Sequence, residues 1–178
     1  MREVHVPACG PREAGMDVKV SDQPHSENSI IPDDMRALVL YASLTGNTRK
    51  VARAIARELG AQALDVHKAS AQDFAQPELL FVGDGVYFGR PSRAMVRFLR
   101  GLPKLNGVKA AVFGTYGTQA KQLDALAKIL MEKGAEVVDR FSCPGRDWFT
   151  LGLLHRHRPN EEDLKRARAF ARKLAEGT

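Results

Sequence analysis

Cysteine is scarce in this chain: Cys9 and Cys143 are the only two among 178 residues. They lie far apart, in no spacing typical of a metal or redox site, which argues against a disulfide framework. Long apolar runs are also missing, since stretches such as Leu79–Val82 have the length of a strand and not the roughly 20 residues of a membrane span. The N-terminus has no apolar segment behind a basic start, so no secretory signal is indicated. These absences favour a soluble protein of the reducing cytoplasm.

The composition is that of a globular protein, with 44% hydrophobic and 27% charged residues, and the length suits one domain. Its charge is unevenly distributed. Residues 1–34 contain three Lys/Arg and seven Asp/Glu, a net charge of about −4, whereas residues 35–178 contain 24 and 14, a net charge of about +10. The basic part is expected to attract acidic proteins, anionic ligands, polyanions or anionic lipid surfaces.

Residues 1–34 also hold four of the nine prolines and show no sustained apolar period. A segment of this composition cannot bury enough surface to fold alone. Either it is a disordered native tail, or Met35 is the true initiator and the upstream residues are not native. The sequence therefore predicts an N-terminal extension of residues 1–34 followed by one domain of residues 35–178.

From Met35 onward, strand patterns alternate with helix patterns. Strands are predicted at Ala37–Tyr41, Ala63–Val66, Glu78–Val82, Val108–Phe113 and Glu136–Phe141. Helices are predicted at Thr48–Leu59, Ser92–Arg100, Gln119–Lys133 and Pro159–Glu176, with a short helical turn at Ser70–Phe74. This alternation predicts an α/β fold, a five-stranded parallel sheet with helices on both faces and strand order 2-1-3-4-5. Ligands of such folds bind where the strands end.

The first loop at that edge is Ser43-Leu-Thr-Gly-Asn-Thr48, between the first strand and the first helix. Its hydroxyls and backbone N–H groups, together with the helix N-terminus, can hold a phosphate, and Gly46 lets the backbone approach it closely. The alternative is that these polar residues only cap the helix. The loop is neither a P-loop nor a G-x-G-x-x-G dinucleotide turn.

Two further loops carry aromatic residues at the same edge. Tyr87 and Phe88 lie in the Gly-rich segment Gly83–Gly89, where an exposed ring suits stacking on a planar cofactor better than packing in a core. Tyr116 follows the fourth strand in a similar setting. Its neighbours Thr115 and Gly117 can hydrogen-bond the edge of such a ring.

The run from Leu38 to Thr48 resembles the phosphate loop that defines flavodoxins, and the resemblance continues through Asp84–Pro91 and Phe113–Gly117. It implies an FMN-dependent electron-transfer protein with flavodoxin-like fold. The implied cofactor-binding residues are Ser43, Leu44, Thr45, Gly46, Asn47, Thr48, Tyr87, Phe88, Gly89, Thr115, Tyr116 and Gly117. Flavodoxins also use a loop glycine whose peptide flips to hydrogen-bond N5 of the reduced flavin, and Gly89 best matches that position. No catalytic residue and no metal ligand are implied.

The charge departs from the usual acidic flavodoxin. Cations surround the predicted site: Arg49, Lys50, Arg90, Arg93, Arg97 and Arg100. Nearby cations favour the anionic reduced flavin, so the potential of its second reduction step is expected to be less negative than in low-potential carriers. The redox partner proteins are expected to have an acidic docking surface. Neither nucleic acid nor membrane association is expected, and a monomer or a dimer is equally compatible.

Other readings stay open at this stage. A flavin enzyme on the same fold, such as an NAD(P)H:quinone reductase or a small oxidase, would need a substrate pocket over the ring, with residues 142–158 as one wall. A binding module without redox chemistry is a third class. Within that long segment, Cys143 is a packed residue or a redox thiol. The run His155-Arg-His-Arg158 is a basic anchor or a solvated loop.

Overall fold

The protein is described by a computed structural model that covers residues 35–71, 74, 76–86, 89–116, 120–146 and 157–177. Its strands are β1 (Ala37–Tyr41), β2 (Gln62–Asp65), β3 (Leu79–Gly85), β4 (Lys109–Tyr116) and β5 (Glu136–Pro144). Its helices are α1 (Asn47–Leu59), α2 (Arg93–Gly101), α3 (Gln122–Glu132) and α4 (Glu161–Glu176). The strands form one parallel sheet in the order β2-β1-β3-β4-β5. The predicted fold class is confirmed.

The sheet is covered on both faces, which explains why its central strands read as continuous apolar runs. Successive side chains of a strand point to opposite faces. Leu38 and Leu40 of β1 accordingly pack with α2 and α3 in one core cluster. Val39 and Tyr41 pack with α1 and α4 in the other. Within the described part of the chain, no helix is long and apolar enough to cross a membrane.

The helix ends follow local sequence signals. Gly60 adopts a left-handed conformation (φ 62°) after α1, and its N–H bonds carbonyls of the last turn. Asn160 begins α4 with a capping box, in which its side chain accepts from the Asp163 N–H and the Asp163 carboxylate accepts from the Asn160 N–H. The end of α1 at Leu59 confirms the sequence prediction, whereas α4 begins at Glu161, two residues after the predicted start at Pro159. The short turn predicted at residues 70–74 lies partly outside the described residues.

The predicted ends of three strands were wrong, and at two of them, β3 and β4, a glycine was interpreted as the end of the strand. β3 continues through Gly83 to Gly85, β4 reaches Tyr116 and β5 reaches Pro144. Gly83 is needed inside the sheet because a Cβ there would lie 2.0 Å from the ring of Phe113. The extension turns predicted loop residues of the site into strand residues, which fixes their backbone in the sheet ladder.

Candidate cofactor site

The loop between β1 and α1 leaves the N-terminus of α1 open. Gly46 precedes the helix with φ 85° and ψ −7°, a left-handed conformation that costs other residues more than glycine. No side-chain hydrogen bond caps α1, and its first turn contains no acidic residue. The N-cap residue thus gives the capping alternative no support, and the phosphate site remains a prediction. The helix dipole and the absence of a side-chain cap favour an anion at this position.

Ser43 provides independent evidence of a ligand-binding position. Its Oγ is buried and has no hydrogen-bond partner among the described residues. A buried hydroxyl without a partner costs about 1–3 kcal/mol, so such groups mark positions where a ligand or an ordered water completes the site. An anion at the end of α1 would accept this hydrogen bond. The residues present thus fit a phosphate group.

The last two residues of the loop connect it to neighbouring strands. The hydroxyls of Thr48 and Thr115 lie 3.0 Å apart, both in buried side chains, and either can donate. Asn47 donates from Nδ2 to the carbonyl of Arg146 at 3.0 Å. Gly145 makes that approach possible, because a Cβ there would lie 2.9 Å from the Asn47 nitrogen. The loop after β1, the end of β4 and residues 145–146 after β5 are therefore brought together.

A pocket of about 320 Å³ lies beside the loop, and most of its lining is polar or cationic. It is lined by Thr45, Asn47, Lys50, Arg146, His157 and Arg158. Arg158 is held by the buried carboxylate of Asp163 at 2.7 Å, which is the largest cause of the upward shift in its pKa. Lys50 and Arg146 form no ion pair with a carboxylate of the described residues and are available to an anion.

Arg146 belongs to this site although sequence analysis did not single it out. Its position depends on backbone hydrogen bonds between distant segments: the Gly145 N–H donates to the carbonyl of Tyr116 at 2.9 Å, and the Arg146 N–H donates to the carbonyl of Arg158 at 3.0 Å. No local pattern in the sequence reports such pairings. The predicted basic anchor near residue 158 was the nearest signal.

Asp84 is a second residue that sequence analysis missed. Its side chain is fully buried at the end of β3, where Oδ2 accepts the N–H of Ser92 at 2.6 Å and Oδ1 has no partner among the described residues. Burial raises the pKa of this carboxyl to about 6. The Asp84 carbonyl also accepts a hydrogen bond from Nε2 of Gln122 at 3.4 Å. Asp84 thereby ties both ends of the segment between β3 and α2, which holds the predicted aromatic loop.

The structure describes the predicted ring-binding residues only in part. Tyr87, Phe88 and Gly117 lie outside the described residues, as does His155 of the predicted basic anchor. Tyr116 is half-buried at the end of β4, and Leu44 is 80% exposed on the first loop. Gly89 is exposed with φ 76°, and a Cβ there would meet nothing within 4 Å. These positions remain predictions for the flavin ring.

Cys143 is a packed residue of β5 and not an exposed thiol. Its side chain is 1% exposed, and burial raises its pKa to about 12, so the thiolate needed for redox reactivity is disfavoured. Within the described residues, no group of three or more His, Cys, Asp or Glu side chains is placed to hold a metal ion.

A five-stranded parallel sheet in the order 2-1-3-4-5 with helices on both faces is typical of a flavodoxin-type domain, and comparison with known proteins agrees. Residues 38–151 match the flavodoxin domain family, so the chain belongs to that family. It is 34% identical to an uncharacterized protein of Methanocaldococcus jannaschii over 148 residues, which cover 79% of this chain and 98% of that protein.

Two other proteins similar to this chain are named as flavodoxin-like or as a flavodoxin. The flavodoxin-like domain-containing protein BilS of Clostridioides difficile is 31% identical over 121 residues, covering 63% of this chain and 67% of BilS. Among solved structures, a flavodoxin of Streptococcus pneumoniae superimposes with a TM-score of 0.64 at 25% identity, covering 80% of this chain and 99% of that one. The likeness therefore extends over nearly the whole length of a flavodoxin.

Proposed function

We propose that this protein binds FMN at the end of its sheet and transfers electrons between redox partner proteins. One observation carries the proposal: the buried Oγ of Ser43 has no partner among the described residues, close in the chain to the N-terminus of α1 and to a cationic pocket. This donor set suits a phosphate group better than a neutral ligand. Membership of the flavodoxin family supports the flavin as the group attached to that phosphate.

The residues divide between the two ends of the cofactor. The loop from Ser43 to Thr48 would hold the phosphate with backbone N–H groups and hydroxyls, and Lys50 and Arg146 would add charge. The ring would lie between the loops after β3 and β4, against Tyr87, Phe88, Gly89, Thr115, Tyr116 and Gly117. When bound, the flavin supplies one- and two-electron chemistry, while the protein binds it, orients it and adjusts its potential.

Affinity for FMN compared with riboflavin tests the proposal most directly, because the two differ only in the phosphate. Purified protein freed of flavin would be titrated with each, following flavin fluorescence. We expect FMN to bind at one equivalent and riboflavin at least a hundredfold more weakly. Equal affinities would contradict the phosphate site, and no binding of either flavin in excess would contradict the whole proposal.

Charge variants sharpen this test. Lys50→Gln combined with Arg146→Gln removes two pocket cations, and we expect FMN affinity to fall about tenfold while riboflavin affinity stays the same. Lys104→Gln removes an exposed cation before β4, at the opposite end of the sheet, and should leave both affinities unchanged. If the affinities for FMN and riboflavin fell in the same proportion, the pocket cations would act on something other than the phosphate.

Turnover with NADH separates a carrier from a flavin enzyme. The loaded protein would be mixed with excess NADH, first alone and then with a soluble quinone, while NADH absorbance is followed. A carrier has no site for the nicotinamide, so we expect no turnover above free FMN at the same concentration. Rapid turnover would instead establish an NAD(P)H-dependent oxidoreductase on this fold.

A further inference from the structure

The outer face of α2 presents a row of arginines. Arg93, Arg97 and Arg100 are exposed at a spacing of four and three residues, which places them on one side of the helix. The other side carries Met95, Phe98 and Leu99, all buried against the sheet. The helix contains no acidic residue.

These arginines differ from several others in the fold. Arg140, Arg168 and Arg172 each form an ion pair with a carboxylate, on Asp124, Glu161 and Glu58 respectively. Neither the three arginines of α2 nor Arg90 just before it pairs with any carboxylate of the described residues. Like charges one turn apart destabilise a helix, and Arg93 in its first turn also opposes the helix dipole. Arg100, in the last turn, is favourable to the dipole, so only part of the row opposes the stability of the helix.

The row borders a groove with an apolar floor. An open depression of about 380 Å³ is lined by Pro91, Arg93, Val96, Arg97 and Arg100. Val96 and Pro91 are half-buried, so a small apolar surface lies between the guanidinium groups. A segment with carboxylates on either side of one aliphatic side chain would match both features. We propose that this groove, the α2 groove, docks an acidic segment of a partner protein.

The neighbouring chain connects the groove with the cofactor site. Ser92 caps α2 by accepting the N–H of Met95 at 3.2 Å, and its own N–H donates to the buried Asp84 at the end of β3. Gly89, expected beside the flavin ring, lies only four residues before Arg93. Because α2 starts at the edge of the candidate site, a protein bound to α2 would lie close to that edge. The role of docking in electron transfer rests on the proposed function, whereas the affinity for an acidic segment does not.

A protein suits the groove better than a membrane or a nucleic acid. The large hydrophobic side chains exposed among the described residues are Leu44, Met131 and Val138, and none belongs to α2. The helix thus offers nothing to insert into a bilayer. Its only aromatic residue, Phe98, is buried, so no ring is available for stacking on bases.

A peptide-binding assay on the full chain tests the proposal. The probe is a fluorescein-labelled twelve-residue peptide with Glu on both sides of a central Leu, compared with the same peptide carrying Gln in place of Glu. Fluorescence anisotropy in low salt would report affinity. We expect the Glu peptide to bind at least tenfold more tightly than the Gln peptide, and binding to weaken as salt is added.

Matched charge variants locate the binding surface. Arg93→Gln with Arg97→Gln removes two exposed cations four residues apart on α2. Arg53→Gln with Arg57→Gln removes two exposed cations at the same spacing on α1. We expect the α2 pair to weaken the Glu peptide about tenfold and the α1 pair less than twofold. An equal loss in both variants would show a response to net charge alone and would overturn the proposal.

The class of partner is tested with the same proteins. Vesicles with phosphatidylserine and a single-stranded DNA of twenty nucleotides would be titrated in parallel. If the α2 pair weakens binding to vesicles or DNA by tenfold and leaves the Glu peptide unchanged, the groove serves that other ligand and the proposal is wrong. Repeating the peptide assay with and without FMN keeps the two proposals apart, because peptide binding does not require flavin.

Discussion

The hydroxyl oxygens of Thr48 and Thr115 lie 3.0 Å apart, between the first turn of α1 and the end of β4. Both side chains are buried, so the contact is closed to bulk water. It joins the predicted phosphate loop to the strand that leads into a predicted ring loop. This side-chain hydrogen bond therefore links the start of α1 directly to the end of β4.

Replacing Thr48 by Val tests this coupling. The change removes one hydroxyl and leaves the other buried without its partner, at a cost of about 1–3 kcal/mol in the free energy of unfolding. We expect FMN affinity to fall several-fold as the loop loses its anchor. Thr115→Val should have a similar effect, and the double variant should cost clearly less than the sum of the two. Strict additivity in denaturant titrations would contradict a direct interaction.

Asp84 makes the stability of the domain depend on pH. Burial raises the pKa of its carboxyl from 3.8 to about 6 in the folded protein, so the native state holds the proton more tightly than the unfolded chain. The free energy of unfolding should therefore fall as pH rises from about 4 to about 6, by up to about 3 kcal/mol from this group. Below pH 4 both states are protonated and the contribution is constant.

Asp84→Asn removes the titration and keeps an oxygen that can accept the Ser92 N–H. Urea denaturation of both proteins from pH 4 to pH 7 measures the effect. We expect the variant to gain stability relative to wild type as pH rises through this window. Glu132→Gln, which removes an exposed carboxylate of α3, controls for net charge. A difference between wild type and Asp84→Asn that stays constant with pH would contradict the buried, titrating carboxyl.

Local sequence signals predicted the helices and strands. The features that these signals missed depend on contacts between residues far apart in the chain. Apolar runs such as Ala37–Tyr41 and the stop at Gly60 can be interpreted residue by residue. Gly83, interpreted as the end of a strand, instead accommodates the ring of Phe113, thirty residues away. A one-dimensional pattern cannot distinguish a glycine that ends a strand from one that makes room inside a sheet.

The candidate site shows the same division. The phosphate loop was predicted because all its residues are consecutive, whereas Asp84 and Arg146 acquire their roles only through folding. Asp84 stands in the run Phe-Val-Gly-Asp-Gly, where a carboxylate two residues after the predicted end of a buried strand was an available signal. Arg146 offered none, since its partner Asn47 lies 99 residues earlier in the chain.

Ser43→Ala distinguishes a ligand-binding hydroxyl from a structural one. Because the Oγ has no partner among the described residues, its removal should leave the thermal stability of the flavin-free protein unchanged or slightly higher. FMN affinity should fall about tenfold, and riboflavin affinity should not change. A clear loss of stability without flavin would show that the hydroxyl has a partner within the protein, which would remove the main support for the phosphate site.

At Gly89 the backbone conformation is expected to affect the reduction potential of the flavin. Its φ of 76° is disfavoured for residues with a Cβ, although there is space for one. Gly89→Ala should therefore cost about 1–2 kcal/mol of stability through backbone strain alone. Gly89→Asn should cost less, because asparagine tolerates left-handed conformations.

The potentials separate strain from a direct role at the flavin. If the Gly89 peptide turns so that its carbonyl accepts a hydrogen bond from the N5–H of the reduced flavin, a Cβ hinders that turn in both variants. Spectroelectrochemical titration with FMN bound should then show that the two reduction potentials of the flavin differ from wild type. The difference should be similar in Gly89→Ala and Gly89→Asn, even though the two variants differ in stability. Unchanged potentials in Gly89→Ala would exclude this role. If the change in reduction potential only paralleled the loss of stability, Gly89 would maintain the backbone conformation and would not act directly on the flavin.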